Sequence, residues 1–109
     1  MDSRLLWGTV DMLILDVVSR GATYGYQIAQ SVLSQSKGYF ELKEGSLYPA
    51  LHRLEDRGWI ASFWGTSENN RRARYYRLTP AGRRQLVQQE SRWDALVAAV
   101  NRIVKPATE

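Results

Sequence analysis

Glu44-Gly45-Ser46-Leu47-Tyr48-Pro49-Ala50-Leu51-His52-Arg53-Leu54-Glu55-Asp56-Arg57-Gly58-Trp59-Ile60 is the stretch on which the reading of this chain turns. Leu47, Leu51 and Leu54 share one side of a helix at about 100° per residue, flanked by Ala50. Gly45, Pro49, His52 and Asp56 take the opposite side, with Ser46, Tyr48 and Arg53 on the shoulders. With Ser46 as cap, Pro49 falls in the first turn, where its missing N–H has no helical partner to lose. Gly58 ends the helix.

Two strands should follow. Trp59 to Trp64 is aromatic and β-branched, Ser67-Glu68-Asn69-Asn70 is turn-forming, and Arg72 to Leu78 is the return strand. Thr79-Pro80 then opens a long helix, threonine as cap and proline first, predicted to reach about Val104. Its apolar residues Leu86, Trp93, Leu96, Val97, Val100 and Val104 recur at three-, four- or seven-residue spacings, a seam suited to another helix.

Upstream, Leu5 to Arg20 is apolar on more than one face, so a helix there is buried on more than one side, against another subunit or the C-terminal segment. Gly21 supplies its stop. Thr23 is read as the cap of a helix from about Tyr24 to Ser34, with Ile28, Ala29, Val32 and Leu33 inward. Gly25 between two tyrosines costs roughly 1 kcal/mol against alanine in a helix and implies a close approach. Ser36-Lys37-Gly38 is a turn, and Tyr39 to Leu42 reads as a very short strand. The predicted architecture is mainly α with a small β wing: a winged helix-turn-helix over residues 1–79 and a long C-terminal dimerisation helix over 80–109, together one compact unit.

The chain has 109 residues and 44% hydrophobic content, enough for one small domain that gains from a partner subunit. Its net charge is +4, and the basic residues cluster. From Arg53 to Arg84 there are eight arginines against three acids, so the remainder is slightly acidic. Such clustering points to a polyanion. There is no cysteine, hence neither disulfide nor thiolate chemistry. No apolar run approaches a membrane span and the N-terminus does not read as a signal peptide, so a cytoplasmic protein without membrane contact is the expectation.

Catalysis is poorly supplied. The single histidine, His52, has neither a cysteine nor a triad neighbour, no ligand cluster for a metal exists, and no glycine-rich phosphate loop occurs. No catalytic residue, metal or cofactor is expected. Binding of double-stranded DNA is well supplied. The helix N-terminus with Ser46 and Tyr48 suits a major groove, His52 and Arg53 lie one turn on, and Arg71, Arg72 and Arg74 flank the turn of the hairpin. The plainer readings are a Tyr48 ring that covers the core, a merely exposed His52, and Arg77, Arg83 and Arg84 as a solvated face. If the first and last helices met across a dimer, Trp7 and Trp93 would offer indoles able to stack a small aromatic effector at the interface.

The run Leu47-Tyr48-Pro49-Ala50-Leu51-His52-Arg53-Leu54-Glu55, joined to Gly58-Trp59-Ile60 and Arg74-Tyr75-Tyr76-Arg77-Leu78-Thr79-Pro80-Ala81-Gly82, closely resembles the PadR family of bacterial transcriptional regulators. Tyr24-Gly25-Tyr26 and the leucine-rich opening helix match it too. The resemblance implies a homodimeric regulator, usually a repressor, on a pseudo-palindromic operator. It adds Tyr24 to the DNA-contacting set of Ser46, Tyr48, His52, Arg53, Arg71, Arg72 and Arg74. It also implies that the last helix packs on the partner's first helix, which places the dimer interface on Leu6, Trp7, Val10, Leu86, Trp93, Leu96, Val97 and Val100. Some members are similar in sensing aromatic compounds or drugs at that interface. This chain has a single C-terminal helix, as in the short class, and no ligand is carried over. The alternative reading is a winged-helix protein-interaction module that never touches DNA.

Overall fold

A computed structural model describes the backbone of residues 3–105 and the side chains of residues 8–105. The order is α1 (Ser3–Ser19), β1 (Thr23–Tyr24), α2 (Gly25–Gln35), α3 (Glu44–Asp56), β2 (Ile60–Thr66), β3 (Arg72–Leu78) and α4 (Pro80–Val104). The antiparallel sheet runs β1-β3-β2, with Thr23 opposite Tyr76 and Trp64 opposite Arg74. This is a winged helix: a three-helix head, a β2–β3 hairpin as wing, and a long closing helix.

The core forms where the apolar stripes converge. Ile14, Leu15 and Val18 of α1 meet Ile28 of α2, Leu47, Ala50, Leu51 and Leu54 of α3, Ile60 and Tyr76 of the sheet, and Leu86 of α4. From Val10 onward the apolar side chains of α1 are met largely inside the chain, where the helix packs on α2, α3, β3 and α4. Removing such side chains from water stabilises the fold by about 1.5–3 kcal/mol each.

Two junctions fix the wing to the head. Gly58, at φ 76°, closes α3. Its N–H reaches the Glu55 carbonyl at 2.9 Å while the Trp59 N–H reaches Leu54 at 3.0 Å, the paired bonds of a Schellman cap. At the start of α4, Thr79 Oγ1 accepts from the Gly82 N–H at 3.0 Å and donates to the Gly58 carbonyl at 2.6 Å. The Thr79 N–H donates to the Trp59 carbonyl at 3.1 Å. Gly82 is pressed so close that a Cβ there would lie 1.9 Å from the Trp59 oxygen.

Four expectations are corrected. Helix α3 begins at Glu44 with Lys43 as N-cap, so Ser46 is no cap and Pro49 lies inside the helix. The proline is exposed, and water can serve the Gly45 carbonyl that loses its helical donor. Thr23 caps nothing: it belongs to β1, and its Oγ1 donates to Gln27 Oε1 at 2.9 Å. Residues 39–42 form no strand; there Tyr39 and Phe40 pack edge to face. Leu86, expected at a dimer interface, is only 5% exposed and belongs to its own chain's core.

Candidate nucleic-acid interface

Helix α3 turns Leu47, Ala50, Leu51 and Leu54 inward and leaves Gly45, Ser46, Tyr48, Pro49, His52 and Asp56 on its exposed side. The positive end of its dipole lies at Glu44 and Gly45, a favourable setting for phosphate, while the Ser46 N–H already donates to the Lys43 carbonyl at 2.9 Å. The Tyr48 ring rests on Gly25: a Cβ there would come within 3.0 Å of the hydroxyl and 3.2 Å of Cε1. That contact accounts for the glycine between two tyrosines. Tyr48 remains 43% exposed, at the seam of α2 and α3.

Arg53 is turned inward. Its guanidinium donates to Asp11 Oδ1 at 2.9 Å, tying α3 to α1. Burial raises the Asp11 carboxyl above its ordinary value, opposed by the hydrogen bond and charge of Arg53. Arg53 therefore works as a tether between helices, away from the side that His52 exposes.

On the wing, the register puts Trp64 and Thr66 on the same face as Arg72 and Arg74. The Arg72 guanidinium lies 4.1 Å from the centre of the Trp64 ring, a cation–π geometry that holds a charge without cancelling it. Arg74 lies 5.9 Å from the same ring, and 3.4 Å from Glu55, the α3 carboxylate that also accepts from Ser62. Arg74 is thus partly neutralised, whereas Arg71 and Arg72 carry no ion pair among the described residues. The opposite face stacks Phe63 on Tyr75 and Tyr75 against Tyr24. The Tyr24 hydroxyl donates to Glu68 Oε1 at 3.2 Å.

Tyr24, Ser46, Tyr48, His52, Arg71, Arg72 and Arg74 all reach the surface of the head and wing. Trp64, Gln27 and Glu68 join them without having been singled out as site residues. Trp64 had a signal in the sequence, since the hairpin register aligns it with Arg74. Of the expected dimer residues, Val10 packs against the core, and Leu6 and Trp7 lie outside the side chains described. Val97 is half-buried. Trp93, Leu96 and Val100 are exposed at 42%, 41% and 44%, and Ile103 and Val104 more so. Among the described residues no group of three or more His, Cys, Asp or Glu could hold a metal, and no helix is long and apolar enough to cross a membrane.

Residues 14–88 match the family model described as Transcriptional regulator PadR-like family. A transcriptional regulator of Mycobacterium tuberculosis is 32% identical over 91 residues, covering 84% of this chain and 81% of that one. An uncharacterized protein of Lysinibacillus sphaericus is 30% identical over 91 residues, 84% of each chain. Among solved structures, a transcriptional regulator from Clostridium thermocellum superposes with a TM-score of 0.83 at 34% identity, over 94% of this chain and 99% of that one. A PadR-like transcriptional regulator from Bacillus cereus gives 0.80 at 25% identity, over 94% and 97%.

Proposed function

The chain belongs to the PadR-like family of transcriptional regulators, and from that premise we infer that it is a homodimeric repressor of a pseudo-palindromic operator. One observation carries the DNA-reading part: the exposed side of α3 and a wing whose Arg71 and Arg72 have no ion pair among the described residues are joined at the Gly58–Thr79 junction. Helix α3 enters the major groove by its first two turns, where Ser46, Tyr48 and His52 discriminate bases. Asp56, farther along the exposed side, would repel phosphate and stays shallow. Arg71 and Arg72 follow the backbone and supply affinity that is largely indifferent to sequence.

Dimerisation is supported by the seam of Trp93, Leu96 and Val100, apolar side chains that a lone chain leaves in water. Two copies joined through α1 and α4 would set two recognition helices about 34 Å apart, in successive major grooves on one DNA face. Repression follows where such an operator overlaps a promoter.

The test is fluorescence anisotropy with a duplex from upstream of the protein's own coding sequence, a scrambled duplex as control, across a salt series. Binding that survives scrambled competitor and saturates at two chains per site is the expected result. Equal, weak binding of both duplexes, abolished by modest salt, would refute it and favour a protein-interaction module. A reporter driven by the bound promoter, silenced when the protein is supplied, separates repression from activation.

A further inference from the structure

One carboxylate stands at the tip of the cationic wing. Glu68 lies in the β2–β3 turn, which is itself fixed. The Ser67 N–H donates to the Arg71 carbonyl at 2.7 Å, the Asn70 N–H to Ser67 at 2.9 Å, and Asn70 takes φ 61°. From this turn Glu68 reaches back across the head. Its Oε1 accepts from Gln27 Nε2 at 2.7 Å and from the Tyr24 hydroxyl at 3.2 Å. Gln27 is oriented in turn by Thr23, whose hydroxyl donates to its Oε1 at 2.9 Å.

Both donors to Glu68 are neutral. The other acid beside the wing, Glu55, is matched by Arg74 at 3.4 Å, whereas Glu68 has no ion pair among the described residues. A glutamate on a free surface swings away from approaching phosphate or folds onto a neighbouring arginine. This one accepts hydrogen bonds from an amide and a phenol, neither of which cancels its charge. It sits three residues from Arg71 and hydrogen-bonds Tyr24, on the Tyr24–Tyr75 face of the hairpin that backs the face of Arg72 and Arg74.

We propose that Glu68 is an electrostatic brake: an anchored negative charge that lowers the affinity of the wing for any DNA backbone and so keeps operator complexes releasable. The inference deepens the DNA-reading assignment and rests on it. Like charge beside a phosphate opposes binding whatever the base sequence, so the brake acts on operator and scrambled duplex together. It acts most strongly at low salt, where screening is weakest.

Glu68→Gln keeps an oxygen that can accept from Gln27 and Tyr24 and removes only the charge. In anisotropy titrations from 50 to 200 mM salt, it is expected to bind both duplexes more tightly than wild type, by about three- to tenfold at the low end. The slope of log K against log salt should steepen, because the repulsion removed is strongest where screening is weakest. Glu68→Ala, which also undocks the turn, should gain less; equal melting temperatures for the three proteins keep folding out of the comparison. Wild type that binds while Glu68→Gln binds no more tightly at any salt overturns the brake alone. Wild type that binds no duplex at 50 mM salt overturns the DNA-reading assignment and the brake with it.

Discussion

Alanine at Gly82 tests the junction that holds wing, recognition helix and α4 in one frame. Its Cβ would stand 1.9 Å from the Trp59 carbonyl oxygen, 2.8 Å from its carbon and 2.9 Å from Leu78 Cδ1. Two of these atoms are backbone and cannot rotate aside. To restore contact near 3.3 Å, the start of α4 must back off by about 1.4 Å, against ordinary packing distances of roughly 3.5 Å. A shift of that size stretches the Thr79–Trp59, Gly82–Thr79 and Thr79–Gly58 hydrogen bonds together. Each is worth about 0.5–1.5 kcal/mol, and the forced repacking adds about 1–3 kcal/mol. Alanine returns up to about 1 kcal/mol of helix propensity. The net loss is about 4 kcal/mol, with about 1.5 kcal/mol as a floor. For a domain of this size that floor corresponds to a fall in melting temperature of about 6 °C. Thermal circular dichroism at fixed protein concentration reads it, with Gly45→Ala as control, since nothing lies within 4 Å of a Cβ there. A Gly82→Ala protein that melts within about 3 °C of wild type would refute the account.

Other expectations follow from the interface. Gly25→Ala places a methyl 3.0 Å from the Tyr48 hydroxyl and must displace that ring; stability should change by less than about 1 kcal/mol, while operator affinity in anisotropy falls several-fold. Unchanged operator affinity, with the ring shown to have moved, would remove Tyr48 from the reading surface. Arg72→Ala should weaken operator and scrambled duplex by similar factors and make the salt slope shallower by about 0.9; a loss confined to the operator would contradict a backbone role. Asp11 gives a pH signature. Because burial raises its carboxyl above 3.8 in the fold, protonation favours the folded state. That contribution is fully present below 3.8 and is lost as pH rises through the raised folded value. In urea melts, wild type should therefore gain stability relative to Asp11→Asn as pH is lowered through that window, and a difference independent of pH would refute the assignment.

What could be read from the sequence was what short-range chemistry dictates. Thr79-Pro80 announces a helix start and delivers one, with the hydroxyl on Gly82. Gly58 and Asn70 need positive φ and have it, which fixes the end of α3 and the wing turn. The return strand falls at Arg72–Leu78 as expected. What escaped depends on partners far along the chain. Strand β1 is two residues long and exists only because Tyr75 and Tyr76 lie beside it. Arg53 has the spacing of a reading residue, but Asp11, 42 positions earlier, draws it inward. Glu68 looks like an ordinary turn acid until Tyr24 and Gln27, 44 and 41 positions away, are seen to hold it. Ser46 misled for a local reason. Serine is a favoured cap, yet here the backbone of Lys43 opens the helix with no side-chain help.

The knot at Thr79 also makes α4 a lever with a fixed fulcrum. The helix has 25 residues, so it is about 37 Å long at 1.5 Å per residue. It is buried only at Gly82 and Leu86, near the fulcrum. A change of about 5° in its angle of departure would carry the far end about 3 Å over that length. In the proposed dimer the same geometry runs in reverse. A small adjustment where two distal ends meet is delivered to the reading heads as rotation, and the distance between two recognition helices becomes adjustable without disturbing the core of either.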